Sequence, residues 1–160
     1  MQNEILDKYK LTLNNIVINY KIKEPSANMD YDYDPYNSSR RFISTYIHQL
    51  DFIDKYTEVE ILSINFSSEV CASIIKNLYL IMIEGFTLLT IQNVYCNNKS
   101  GTLMLLKEND KYRINYSNNN EDNEGSSFIF SKIEIERLII LLESDDILSM
   151  YVTDEEDENG

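Results

Sequence analysis

Hydrophobic and polar residues follow two periods along this chain, and the sharpest change of period falls within residues 128–143, FIFSKIEIERLIILLE. Phe128, Ile129 and Phe130 are aromatic and β-branched types that suit a pleated, half-buried surface. Ser131 opens a Ser-x-x-Glu pattern with Glu134, the capping box that satisfies free amides at a helix start. Ile135, Leu138, Ile139 and Leu142 then fall at i, i+3, i+4 and i+7, one apolar stripe along a helix. A short strand running straight into a helix over 132–143 is expected here.

The same reading extends upstream. Residues 9–23 alternate as one extended strand with Ile16, Ile18, Tyr20 and Ile22 on one face, and Pro25 ends it. Residues 26–39 are a polar connection, and 40–56 fits either period, with the strand preferred. Residues 58–66 form a strand, and Ser67, Ser68 and Glu69 open a helix over about 67–84. Its core face is Cys71, Ile74, Ile75, Leu78 and Met82, and Gly85 suits its C-terminal cap. Strands over 86–95, 102–107 and 112–116 make a meander, punctuated by turns at 97–101 and 108–110. Residues 118–125 are a polar, acidic loop, and 147–152 form a short apolar element after the second helix.

The fold class expected is α+β, an antiparallel sheet with two helices in one domain over 1–152, followed by an acidic, disordered tail at 153–160. Residues 64–67 match 128–131 at an offset of 64, and Cys71, Ile74, Ile75 and Leu78 then align with Ile135, Leu138, Ile139 and Leu142. Halves 1–84 and 86–152 could thus be two copies of a few strands closed by a helix. In element order the C-terminal half, β-β-β-β-α, is similar to the unit of Whirly-type proteins, which bind single strands. That similarity lies in element order and not in a sequence motif, and the charge of this chain is opposite to theirs.

Composition narrows the class. With 160 residues, 43% hydrophobic and 26% charged, the chain has the make-up of a globular domain. The N-terminal residues show no apolar signal segment, and the longest apolar run, 78–83, is too short to span a bilayer. Two cysteines, Cys71 and Cys96, give no disulfide framework, so reduced thiols and a cytoplasmic location are expected. The formal net charge is −13. Residues 1–117 hold 14 acidic and 12 basic side chains, whereas 118–160 hold 13 and 2. The excess is therefore concentrated in the last quarter, as in an interaction surface or acidic tail.

Catalytic chemistry has little support. His48 is the single histidine, and no motif gives it a nucleophile. The four glycines are isolated, so no phosphate-cradling loop exists. Asp30, Asp32 and Asp34 imitate the start of a calcium loop, but Pro35 and Arg41 occupy the positions that need Gly and Glu. No enzyme activity, metal or other cofactor is expected, and a carboxylate-based metal enzyme ranks below the binding readings. Direct nucleic-acid binding is disfavoured because lysines and arginines are spread among acids, although Lys107, Lys111 and Arg113 could line one edge of the meander.

Recognition by negative charge remains. The Asp/Tyr alternation at Asp30, Tyr31, Asp32, Tyr33 and Asp34 sets carboxylates beside flat rings, roughly what phosphates and bases offer. Glu121, Asp122, Glu124, Asp145 and Asp146 add charge that would steer a basic partner. The expectation is an acidic inhibitor of a basic nuclease or other nucleic-acid-binding protein. This is the logic of nucleic-acid mimics such as viral anti-restriction and anti-CRISPR proteins, and of nuclease immunity proteins. The alternative is an interaction module or a subunit of a larger assembly. No membrane partner is expected, and self-association into a homo-oligomer stays open.

Overall fold

Turn chemistry divides the described residues into ten elements. The computed structural model describes residues 5–23, 46–118 and 125–144. Strands β1 (Ile5–Thr12), β2 (Ile16–Lys23), β3 (Ile47–Asp54) and β4 (Glu60–Ser67) precede helix α1 (Ser68–Ile83). Strands β5 (Leu88–Cys96), β6 (Lys99–Glu108), β7 (Lys111–Asn118) and β8 (Gly125–Phe130) precede helix α2 (Lys132–Glu143). Asn97 and Asn98 both take positive φ, 52° and 65°, in the two-residue turn between β5 and β6. Two consecutive left-handed residues match the twist of the flanking strands, and asparagine adopts that conformation at low strain.

All eight strands lie in one antiparallel sheet in sequence order, with the two helices packed on its inner face. This is the expected α+β class. One expectation needs correction: residues 9–23 are two strands, not one. Asn14 and Asn15 turn the chain, closed by the Leu13 amide donating to the Ile16 carbonyl at 2.9 Å. The phase of the pattern carries the break. Tyr9, Leu11 and Leu13 face the core at odd positions, while Ile18, Tyr20 and Ile22 face it at even ones. The ambiguous stretch 40–56 contains β3, a strand over Ile47–Asp54, followed by a turn.

Both helices begin where the pattern placed them. Ser131 and Glu134 form a reciprocal capping box on α2, and the Ser67 hydroxyl accepts from the Val70 amide on α1. Glu84 caps α1, and Gly85 follows at φ 78°, the left-handed position that glycine fills without a Cβ clash. Ile135, Leu138, Ile139 and Leu142 are buried, as are Cys71, Ile74 and Leu78. Ile81 joins them, whereas Ile75 and Met82 only partly withdraw from solvent.

Among the described residues the element order β-β-β-β-α occurs twice, and the register repeats with it. Leu50 opposes Ile64 and Asp51 opposes Ser63 between β3 and β4; 64 residues later Ile114 opposes Phe128 and Asn115 opposes Ser127 between β7 and β8. The halves share a sheet through a single register pair, Asn65 with Tyr95. Their inner faces meet as well, since the rings of Phe52 and Phe128 stack with centroids 4.6 Å apart. Between the helices, the Tyr79 hydroxyl donates to Glu143 Oε1 at 2.9 Å.

His48 is a core residue. Its Nδ1 lies 2.6 Å from the Tyr20 hydroxyl and its Nε2 2.8 Å from Ser68 Oγ, with the Phe66 ring stacked alongside. Burial disfavours the cation and pushes its pKa down to about 4.

Candidate nucleic-acid interface

Side chains alternate across a strand, so the inward placement of Ile18, Tyr20 and Ile22 sends Asn19, Lys21 and Lys23 to the outer face of β2. On β1 the outward residues are Lys8, Lys10 and Thr12, all exposed. Hairpin register sets Lys8 opposite Lys21 and Lys10 opposite Asn19. Four lysines therefore share one face. In a single strand over 9–23, Lys10 would have pointed away from Lys21 and Lys23; the turn at Asn14 and Asn15 reverses that parity. The signal was present as Lys-x-Lys at 8–10 and 21–23, but it is read correctly only once the turn is placed.

The register continues across the sheet from this corner. Lys8 opposes Lys21, Lys21 opposes Gln49, Gln49 opposes Asn65, Asn65 opposes Tyr95, and Tyr95 opposes Ser100. These six residues form one transverse row on the outer face of β1 to β6. At roughly 4.8 Å per strand the row is about 24 Å long. It starts with two cations, passes two amides and ends on an aromatic ring and a hydroxyl. Asn65 Oδ1 is buried in the row with no hydrogen-bond partner, and Asn115 Oδ1 on β7 is in the same state.

Asp51 is the carboxylate within this face. It takes an ion pair from Lys21 Nζ at 3.0 Å and hydrogen bonds from Ser63 Oγ at 2.6 Å and Gln49 Nε2 at 2.7 Å. Burial alone would raise its pKa. The bonds from Ser63, Gln49 and Lys21, with the Lys21 charge, outweigh burial and hold it below the usual carboxylate value. Asp51 is thus ionised at neutral pH and balances Lys21, and Lys8, Lys10 and Lys23 are further cations on β1 and β2.

The corresponding row of the second half has different chemistry. Leu88 opposes Leu106, Leu106 opposes Arg113, and Arg113 opposes Ile129. Arg113 is engaged by Glu108 and donates to Ser127 Oγ at 2.8 Å. Lys107 and Arg113 are on opposite faces of the meander, because Lys107 opposes Tyr112 while Arg113 opposes Leu106. Lys107, Lys111 and Arg113, which could have lined one edge although solvated strand ends were the simpler reading, therefore do not share one face.

Charge is divided unevenly between the described residues and the others. Of 27 acidic and 14 basic side chains, the described residues hold 12 of each. The remaining 15 acidic and 2 basic residues account for the whole net charge of −13. Asp30, Tyr31, Asp32, Tyr33, Asp34, Glu121, Asp122, Glu124, Asp145 and Asp146 all lie outside the described residues, as do the apolar stretch 147–152 and the acidic tail.

Among the described residues, no group of three or more His, Cys, Asp or Glu is placed to hold a metal ion. Cys71 is buried and Cys96 half-buried. No helix among the described residues is long and apolar enough to cross a membrane.

No family model matches the sequence, and no curated protein matches it. A solved structure of the plant transcriptional regulator PBF-2 does match in fold, with a TM-score of 0.50 over 99% of this chain and 88% of that one, at 10% sequence identity. At that identity the likeness is one of architecture: the chain has a Whirly-like α+β fold, an eight-stranded antiparallel sheet with two helices.

Proposed function

We propose that this protein binds single-stranded nucleic acid across the outer face of β1 to β5, with Lys8, Lys10, Lys21 and Lys23 receiving the backbone phosphates. The observation that carries the reading is the transverse row from Lys8 to Ser100. Lys8 lies directly opposite Lys21, and Lys10 and Lys23 share their face. Phosphates seated on such lysines release the counterions of the polyanion, which favours binding. The half-buried side chains of Gln49 and Asn65 continue the row from the lysines to Tyr95. The Whirly-like fold supports the same reading by analogy, since Whirly-type proteins bind single strands.

Fluorescence anisotropy with a labelled oligonucleotide tests it. Binding should weaken linearly in log–log form as salt rises, with about 0.7 of slope per phosphate engaged on a single strand. Replacing Lys8, Lys10 and Lys23 by Ala should flatten that slope by about 2. Lys21 is left intact because its loss would strand the buried Asp51 carboxylate. Absence of binding at low salt, or an unchanged slope in the triple variant, would refute the proposal.

A second reading rests on the segregation of charge. An acidic inhibitor of a basic nuclease or other nucleic-acid-binding protein would use the segments that hold the net −13, with Asp30 to Asp34, Glu121, Asp122, Glu124, Asp145 and Asp146 as contacts. That reading predicts that the partner releases its DNA or RNA as this protein binds. Simultaneous binding of both with unchanged affinities would exclude it.

A further inference from the structure

We infer that Tyr95 is the residue on which an unpaired base stacks, which makes the site selective for single strands over duplex; this rests on the nucleic-acid reading above. Lysine contacts to phosphate position a strand but do not sense whether its bases are paired. A planar ring beside the phosphate track does, because only an unpaired base can lie flat on it. Tyr95 is 41% exposed and follows buried Val94, so it projects on the outer face. It occupies the same register row as the lysines, three strands from Lys21, or about 14 Å. A strand held at Lys8 and Lys21 reaches it within a few nucleotides. Asn65 directly opposite and Ser100 on the other side are smaller than the ring, and the Asn65 amide stands beside the place a stacked base would take.

Among the described residues, the other exposed aromatics lack that placement. Tyr56 lies in the turn after β3, Phe86 precedes β5, and Tyr79 on α1 is bonded to Glu143. The row also explains why the ring comes from the other half of the molecule. The second half contributes Tyr95 through the single register pair that joins the halves, so phosphate and base contacts come from different copies of the β-β-β-β-α unit.

The test uses the full chain, a labelled thymidine oligomer, the same oligomer with abasic positions, and a duplex of equal length. Tyr95→Ala should weaken binding of the normal single strand about 5- to 150-fold, the range of one base–aromatic stack. Tyr95→Phe should retain most of the affinity, because stacking needs the ring and not the hydroxyl. On the abasic strand and on duplex, wild type and Tyr95→Ala should bind alike. If wild type binds single strands but Tyr95→Ala is within twofold of it, or Tyr95→Phe loses as much as Ala, the stacking role is wrong and the lysine reading stands. If wild type binds no single strand, the lysine reading itself has failed. Should Tyr95→Ala not fold, equal wild-type affinity for normal and abasic strands would overturn the inference alone.

Discussion

At the scale of single residues, His48 shows how burial sets chemistry. A histidine with an ordinary pKa of 6.5 is held near 4 by desolvation, so the folded state binds fewer protons than the unfolded one between those values. Stability should therefore be complete above about pH 6.5 and decline as pH falls towards 4. The loss is up to about 3 kcal/mol, from 1.36 kcal/mol per pH unit. Denaturant midpoints measured from pH 7 down to 4.5 check this. In His48→Phe the slope over that window should flatten, even if the protein is less stable throughout, because Tyr20 and Ser68 lose a partner. Asp51 acts lower on the scale: its depressed pKa gives stability that is present above the ordinary carboxylate value and lost as pH falls through the folded one. The two effects are separable by pH.

At the scale of elements, α2 carries the clearest predictions. Leu142 is fully buried on the apolar stripe, and Leu142→Ala should cost about 2–5 kcal/mol in urea melts, depending on how far the cavity collapses. Ile140, 65% exposed on the opposite side, should change stability by less than about 0.5 kcal/mol as Ala. Ser131→Ala removes one arm of the capping box and should cost roughly 1 kcal/mol. Strand β6 adds a steric case. A Cβ on Gly101 would stand 2.3 Å from the Tyr116 hydroxyl, so Gly101→Ala should be destabilising unless the Tyr116 ring moves.

For the whole molecule, the net charge of −13 separates the two functional readings. Residues 154–158 hold five carboxylates. If the lysine face binds nucleic acid, removing them should tighten binding at low salt, since like charge repels the ligand over about a Debye length. The gain should vanish as salt rises. If the acidic segments instead engage a basic partner, the same deletion should slow association with that partner. Titrations at two salt concentrations with full-length and truncated protein distinguish the outcomes by sign.

The sequence alone determined the local elements that depend on nearest neighbours. The capping box at Ser131 and Glu134, the stripe from Ile135 to Leu142 and the asparagine turn after β5 follow from hydrogen bonds and spacing within a few residues. It also determined the charge imbalance, which is a property of composition. Tertiary structure decided which charges meet. Lys8 and Lys21 are thirteen positions apart in a run that alternates well enough to pass for one strand, and the turn at Asn14 and Asn15 sets their common face. The row from Lys8 to Ser100 draws one residue from each of six strands, through a register fixed by the buried side of the sheet. No local pattern encodes such a row. Its members are chosen by which apolar residues must point inward, and their neighbours in the chain are carried outward as a consequence.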